Sequence, residues 1–476
     1  MRIADLAGKR VAVWGYGREG RAALAALRAR LPDLPLTLFC SEAEARSLDE
    51  EASQPKPLLQ GGISLGRSGF SRDGLTLIID TPDAATLSAF DIVIKSPGIS
   101  AYRPEILQAQ HNGTRFTSGT ALWFAEHPEA RVIAVTGTKG KSTVTALIAH
   151  LLRGLGRRVA LAGNIGLPLL ELLDPPQAPD WWVVELSSFQ TREAGTVEVG
   201  VINNVYEEHL DWHGTRARYV ADKLALTAAA KTLVVNAAQA DLMVRIGAHS
   251  RGVGVDFGAG DGWHVRAGSV LRGAQHVFDL TNSPLAGAHN AMNLCAALAA
   301  IEVAGEDAVM AAVEIASFRP LPHRLQTLGE REGLTFVDDS IATTPQATLE
   351  ALASFGNRDV TVLVGGYERG LDWQAFADHV RATPPRAIIT MGANGTRIGD
   401  VLRAVGGNYR LEATNSLADA VALARALTPA RGVLLLSPGA PSFDQFRDYA
   451  ARGCEFARLG GFDPRSIGVI EGLGIA

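Results

Sequence analysis

The segment RVIAVTGTKGKSTVTALIAHLL, residues 131–152, changes periodicity in its middle, and that change organises the rest of the chain. Val132 to Val135 is a continuous apolar run of strand character. Val144, Leu147, Ile148, Leu151 and Leu152 then recur at the spacing of one helical face. Between them lies Gly137-Thr138-Lys139-Gly140-Lys141-Ser142-Thr143. A glycine-rich turn between a strand and a helix N-terminus presents backbone N–H groups to an anion, Lys141 adds a mobile cation, and the Ser142 hydroxyl can hold Mg²⁺. The generic phosphate loop has a further glycine where this chain has Val135, so the loop is a shortened one.

Working outward, the N-terminal run Arg10 to Trp14 leads into Gly15-Tyr16-Gly17-Arg18-Glu19-Gly20 and then an Ala/Leu-rich helix from Arg21 to Arg30. This is the opening of a doubly wound sheet. The turn suits a dinucleotide or any other diphosphate. The acid that a nicotinamide dinucleotide needs at the end of the second strand, Leu36 to Phe39, is replaced by Cys40-Ser41, with Glu42 just beyond. Residues 43–78 read as loops or a peripheral insertion. After Phe318-Arg319-Pro320-Leu321-Pro322, strand-like and helix-like runs alternate to Leu436, which implies a mostly parallel sheet. The expected fold class is α/β with three domains: an N-terminal Rossmann-like unit at 1–115, a central phosphate-loop unit at 116–317 and a C-terminal Rossmann-like unit at 318–476.

Composition narrows the function classes. The chain has 476 residues, 47% hydrophobic and 20% charged, which describes folded domains rather than disorder. A net charge of -5 provides no global basic field for nucleic acid. The three cysteines, Cys40, Cys295 and Cys454, form no CxxC pair and suit a reducing compartment. Charged residues interrupt the start, and no apolar run reaches about 18 residues. The expectation is a cytoplasmic monomer without membrane insertion.

Other residues invite chemistry. Glu185 ends an apolar strand, where open α/β sheets collect ligands, and its carboxylate is a hard donor suited to Mg²⁺. His209 and His213 are four apart, but Leu210 stands where a metalloprotease pattern requires Glu, so zinc is rejected. His213 is expected on the surface without a role. Lys223 lies on a helix, where a lone lysine is ordinarily solvated. Asn290 and Asn293 open an Ala-rich helix and can read a base edge or cap the helix. Arg324 can clamp a phosphate.

The shortened loop resembles that of the muramyl ligases and folylpolyglutamate synthetases, which join an amino acid to a carboxylate while splitting ATP to ADP. Gly163-Asn164-Ile165-Gly166, Glu185 to Gln190, Asn204 to Asp211, Tyr219 to Lys223, Gly287 to Asn293, Leu321 to Arg324 and Leu436 to Phe446 resemble the glutamate-adding muramyl ligases in order through the chain. The resemblance implies ATP and Mg²⁺ as cofactors, with UDP-N-acetylmuramoyl-L-alanine and glutamate as substrates. It implies that Lys141, Glu185, His209 and Lys223 are catalytic, that Ser142, Glu185 and His209 hold metal, and that Lys223 is carbamylated by CO₂. Gly137 to Thr143, Asn290, Asn293, Arg324 and Asp339 would bind ATP, the asparagines at adenine. Gly15, Gly17, Arg18, Glu19, Asn164, Ser187 and Gln190 would bind the UDP substrate.

The amino-acid pocket departs from the common pattern. Ligases that add D-glutamate carry Asp-Ser-Lys-Ala-Thr, whereas this chain has Asp339-Ser340-Ile341-Ala342-Thr343. Arg369 matches a second pocket lysine, and Ser442, Phe443 and Tyr449 complete the implied pocket with Thr343. Loss of one cation and alteration of another point to the L-glutamate-adding branch. The alternatives are the D-glutamate enzyme, a nicotinamide-dependent oxidoreductase and a nucleotide-binding regulator without turnover.

Overall fold

The computed structural model describes residues 1–42, 44–46, 48, 70–72, 74–206, 210–247, 253–285 and 287–476. Two compact units result: residues 1–284 with 288–318 and 472–476, and residues 285–287 with 319–471.

The first unit holds two sheets. In the first, β1 (Val11–Trp14) lies between β2 (Leu36–Cys40) and β5 (Ile92–Lys95), all parallel, with β4 (Leu75–Ile79) and β6 (Arg115–Thr117) continuing the two sides. β3 (Phe70–Arg72) closes one edge antiparallel to β4. Every β1 residue is buried, which explains why the run is apolar rather than alternating. Helix α1 (Arg18–Arg30) buries a small-residue face that includes Gly20, Ala22 and Ala23. The expectation of loops over 43–78 needs correction at its end. The β-branched run at Leu75–Ile79 pairs along its whole length with β2, and this pairing outweighs the polar flanking sequence on which the loop reading rested. The remainder of that segment, residues 43, 47, 49–69 and 73, lies outside the described residues.

The middle sheet is built on β7 (Val132–Thr136), β8 (Val159–Gly163), β9 (Trp181–Glu185), β10 (Val197–Ile202) and β11 (Ala230–Asn236). Their spatial order is β11-β10-β7-β9-β8, all parallel. Beyond β11 come β12 (Val253–Phe257), β13 (Trp263–Arg266), β14 (Ser269–Arg272) and β15 (Gln275–Asp279), the last three forming an antiparallel meander. Helix α2 (Lys141–Gly154) follows β7; α3 (Arg216–Leu224) and α4 (Ala288–Val303) complete the elements that shape the site. The cross-strand partners Val135 with Glu185 and Thr136 with Ile202 bring the carboxyl ends of β9, β7 and β10 level.

The second unit is a sheet ordered β16-β17-β21-β18-β19-β20, from β16 (Gln326–Arg331), β17 (Leu334–Asp338), β18 (Val360–Val364), β19 (Ala387–Thr390), β20 (Arg410–Ala413) and β21 (Val433–Leu436). Only β16 with β17 is antiparallel, and that pair is a hairpin. Helix α5 (Tyr449–Gly460) follows the last of these strands. The chain then returns to the first unit, where β22 (Gly474–Ile475) pairs antiparallel with β8. The main-chain bonds of residues 474–476 thus go to the middle sheet. Among the described residues no helix is long and apolar enough to cross a membrane.

Candidate active site

The phosphate loop leaves the middle strand of the β10-β7-β9 trio. Gly140 is the N-cap of α2 with φ +75°, and a Cβ there would lie 2.4 Å from Asn293 Oδ1 and 2.6 Å from Asn203 Nδ2. Both the backbone angle and the space demand glycine. The loop is braced from β10: Asn204 Oδ1 accepts from the Thr138 and Lys139 amides at 3.0 and 2.8 Å, while Asn203 Nδ2 donates to the Lys139 carbonyl and to Asn293 Oδ1. Lys141 Nζ folds over the loop to the Thr138 carbonyl at 2.8 Å. With its shape fixed this way, the loop directs an anion to the first turn of α2, where amides lack intrahelical acceptors. Ser142 and Thr143 begin that turn, Ser142 half-buried and Thr143 buried.

Glu185 is 1% exposed, the product of its place at the end of a fully buried strand. Oε1 accepts from Asn164 Nδ2 at 2.8 Å, and buried Oε2 has no hydrogen-bond partner among the described residues. An unsatisfied buried carboxylate oxygen is costly, and beside a phosphate loop a hard cation resolves it. The donor set fits Mg²⁺, which takes one or two protein oxygens and completes its shell with phosphate and water. Among the described residues no three His, Cys, Asp or Glu side chains gather as a ligand set. His209 lies outside the described residues.

Lys223 does not behave as a solvated helical lysine. It is 2% exposed and its Nζ donates to the Gly137 carbonyl at 2.7 Å. Tyr219, one turn earlier on α3, meets Thr138 Oγ1 through its hydroxyl at 2.7 Å. The structure therefore brings Lys223 and the phosphate loop into direct contact, with Glu185 on the adjacent strand. His213, expected at the surface, is fully buried, with Nδ1 2.6 Å from Asp222 Oδ2 and Nε2 3.0 Å from Ser188 Oγ. Sequence spacing missed its burial because its partners, Asp222 and Ser188, lie on other elements.

Asn293 is also placed differently from a base-reading amide. It is buried under Gly140, accepts from Asn203 and donates to Asn290 Oδ1 at 3.1 Å, so both ends of its amide are bonded within the protein. Asn290 is half-buried at the start of α4.

At the first sheet, β1 lies between β2 and β5 at the reversal of strand order, where α/β sheets bind ligands. A cavity of about 510 Å³ opens there, lined by Gly15, Gly17, Ser41, Asp80, Ser96 and Gly98 among others. A Cβ on Gly20 would lie 1.9 Å from the Gly15 carbonyl, so the third glycine of the motif allows the helix to meet the turn. Arg18 Nη1 donates to the Gly166 carbonyl at 3.1 Å. Burial, and then the neighbouring Glu193 charge, push the Glu19 carboxyl up to about 7. Ser187 Oγ donates to Gln190 Oε1 at 2.7 Å and Gln190 Nε2 to Thr120, so this pair braces the turn after β9.

In the second unit the loops after β17, β18 and β21 converge. Asp339 accepts from the Leu325 amide at 3.1 Å and from Ser437 Oγ at 2.7 Å. The Tyr367 amide donates to the Pro441 carbonyl at 2.8 Å. Arg452, on α5, is 1% exposed and donates to Ser340 Oγ and to the carbonyls of Ser340, Ala440 and Pro441. Burial lowers its guanidinium to about 10. Arg452 was not singled out from sequence, although it shares a helical spacing with buried Phe456 and Gly460. The buried Ser442 hydroxyl has no hydrogen-bond partner among the described residues. Phe443 is exposed and meets Tyr367 edge to face at 6.2 Å. Thr343 and Tyr449 are half-buried, and Arg369 is exposed. Arg324 opposes the buried charge of Asp339.

Burial pushes the Asp339 carboxyl up from 3.8 to about 7, against the bonds from Ser437 and Leu325. The folded chain thus holds this proton more tightly than the unfolded one. The stability it contributes is fully present below pH 3.8 and is lost as pH rises to about 7. Asp339→Asn stays neutral throughout, so its stability relative to wild type is expected to climb across that window. Urea unfolding at pH 4 to 8 checks this, and a constant difference between the two proteins would contradict it.

Comparisons with known proteins identify the family. A family model described as the Mur ligase middle domain matches residues 135–301, and one described as the Mur ligase glutamate ligase domain matches 323–439. The UDP-N-acetylmuramoyl-L-alanine--L-glutamate ligase of Xanthomonas euvesicatoria is 49% identical over 497 residues, covering 100% of both chains. The relative of the same name from Salinispora tropica is 39% identical, covering 96% of this chain and 98% of its own. Among solved structures, UDP-N-acetylmuramate-alanine ligase from Thermotoga maritima has TM-score 0.58 at 18% identity over 95% of this chain and 99% of its own. Mycobacterium tuberculosis folylpolyglutamate synthase complexed with ADP has TM-score 0.53 at 16% identity over 72% and 93%. The first of these structures shares the fold over nearly the whole chain and the second over the 72% that it covers. From the family models and the full-length relatives together, the chain belongs to the Mur ligase family.

Proposed function

We propose that the chain is an ATP-dependent ligase that adds L-glutamate to UDP-N-acetylmuramoyl-L-alanine in peptidoglycan precursor synthesis, acting as a monomer in the cytoplasm. The observation that carries the reading is the phosphate loop with Lys141, flanked by Glu185 on β9 and touched by Lys223 from α3. Full-length relatives named for L-glutamate support the choice of enantiomer, as does Ile341 in a position where D-glutamate ligases carry lysine. The three-domain division at 1–115, 116–317 and 318–476 belongs to the same proposal, with UDP held by the first domain and glutamate by the third.

In this reading an oxygen of the alanine carboxylate attacks the γ-phosphorus, ADP leaves and an acyl phosphate forms. The glutamate amine then attacks the activated carbonyl carbon, phosphate departs and the amine loses a proton. Most of the acceleration comes from positioning and charge neutralisation. Lys141 offsets the charge on the phosphates, and Gly137 to Thr143 cradle them. Ser142 and Glu185, with His209, would hold Mg²⁺, which supplies further neutralisation of the polyphosphate when bound. CO₂ addition to the Lys223 amine would replace a cation by an anion at this point. Gly15, Gly17, Arg18 and Glu19 would face the diphosphate, with Asn164, Ser187 and Gln190 beside the muramyl end. Arg324 and Asp339 would meet ATP, with Asn290 at the adenine and Asn293 behind the loop. Thr343, Arg369, Ser442, Phe443 and Tyr449 would form the glutamate pocket. The unsatisfied Ser442 hydroxyl supports that placement.

The test is phosphate release with ATP, Mg²⁺ and UDP-N-acetylmuramoyl-L-alanine, run separately with each glutamate enantiomer. Turnover with L-glutamate at least tenfold above D-glutamate is expected. A preference for D-glutamate would move the chain to the other branch, and no release with either would end the ligase reading.

A further inference from the structure

The candidate catalytic groups ride on different elements: Lys141 on the phosphate loop, Glu185 at the end of β9 and Lys223 on α3. A buried chain of hydrogen bonds ties these elements together. Ser188, three residues beyond Glu185, meets His213 Nε2 at 3.0 Å, and His213 Nδ1 meets Asp222 Oδ2 at 2.6 Å. Asp222 also accepts from the Tyr102 hydroxyl at 2.8 Å and from Arg192 Nε. His213 and Asp222 are each no more than 1% exposed.

The position of Asp222 on α3 gives this chain its meaning. Tyr219, Asp222 and Lys223 stand at i, i+3 and i+4, on one side of the helix. Tyr219 and Lys223 reach the phosphate loop at Thr138 and Gly137, both at 2.7 Å, while Asp222 turns to His213. A small rotation of α3 would carry Lys223 off the Gly137 carbonyl. The His213 end is itself fixed: Trp212 Nε1 donates to the Pro97 carbonyl at 3.0 Å, and Ser100 Oγ donates to the Trp212 carbonyl at 2.6 Å. Apolar side chains could fill the same volume, but a buried carboxylate is tolerated only when fully paired, and its bonds then specify direction as well as contact.

We infer that His213 is a positioning residue for the proposed reaction: with Asp222 it sets the rotation of α3, and through Ser188 it keeps Lys223 in line with Glu185. This rests on the ligase reading above. The test compares wild type, His213→Leu, His213→Asn and Ser188→Ala by phosphate release, with ADP affinity and stoichiometry measured calorimetrically on the same preparations. His213→Leu is expected to lower kcat by roughly 10- to 100-fold, the scale of a misplacement near 1 Å, at unchanged ADP stoichiometry and affinity. His213→Asn keeps an N–H near the Nδ1 position and should return kcat to within about threefold of wild type, an order-of-magnitude allowance for imperfect geometry. If His213→Leu fails to fold, Ser188→Ala serves, with a smaller kcat loss expected at full ADP stoichiometry. Wild-type kcat per ADP-binding site in the leucine or serine variant, or a loss wholly matched by lost ADP sites, overturns the inference. A wild-type chain silent with both glutamates removes the ligase reading along with it, which separates that failure from this one.

Discussion

Alanine at Lys141 is expected to lower phosphate release about 10³-fold, or roughly 4 kcal/mol of transition-state stabilisation, while leaving the folded chain intact. The loop loses one brace, the Lys141 bond to the Thr138 carbonyl, and keeps the others. Asn203 and Asn204 hold the Thr138 and Lys139 backbone, and Gly140 is locked against Asn293. What disappears is a cation whose flexible stem can follow charge as it moves from the γ-phosphate toward the departing β-phosphate. The loss should fall mainly on kcat, because ground-state nucleotide binding retains the amides of the α2 N-terminus. Thermal unfolding and ADP titration establish that the variant is folded and loaded. Activity within tenfold of wild type would show that another group does this work.

Glu185→Gln comes next in size. Glutamine preserves the volume and the acceptor that receives the Asn164 amide, so the strand end should stay packed. The change replaces Oε2, which lacks a partner among the described residues, by an NH₂ group, which cannot ligate a hard cation. Turnover is expected to fall about 10²- to 10³-fold, within the range for loss of one electrostatic stabiliser, with the Mg²⁺ concentration for half-maximal rate rising at least about tenfold. A Mg²⁺ titration of phosphate release reads both effects. An unaltered Mg²⁺ dependence would place the metal elsewhere and leave Oε2 unexplained.

The parallel cores were legible because buried strands and amphipathic helices write their periods into the sequence. Val132 to Val135 and the stripe from Val144 to Leu152 were found this way. The Leu75–Ile79 strand was hidden because a five-residue run between polar flanks carries little periodicity, and its pairing with β2 is a tertiary fact. The phosphate loop was readable since its glycines are required by local geometry. Its braces were less so: Asn203 and Asn204 look like ordinary strand-end residues until β10 is known to lie beside β7. His213 was read as a surface residue, and Asp222 and Arg452 escaped notice, for a shared reason. Polar types are read as solvated, and only the folded chain reveals that their partners lie on other elements.

Arg452 illustrates how such a residue leaves room for change. Three of its four bonds go to main-chain carbonyls, at Ser340, Ala440 and Pro441, which every amino acid possesses. The scaffold of the proposed glutamate pocket is therefore indifferent to the identity of what it displays. An alkyl group at Ile341 or a guanidinium at Arg369 can be exchanged while the outline stays put, so preference for one mirror image over the other can drift by a few substitutions without the fold having to be reinvented.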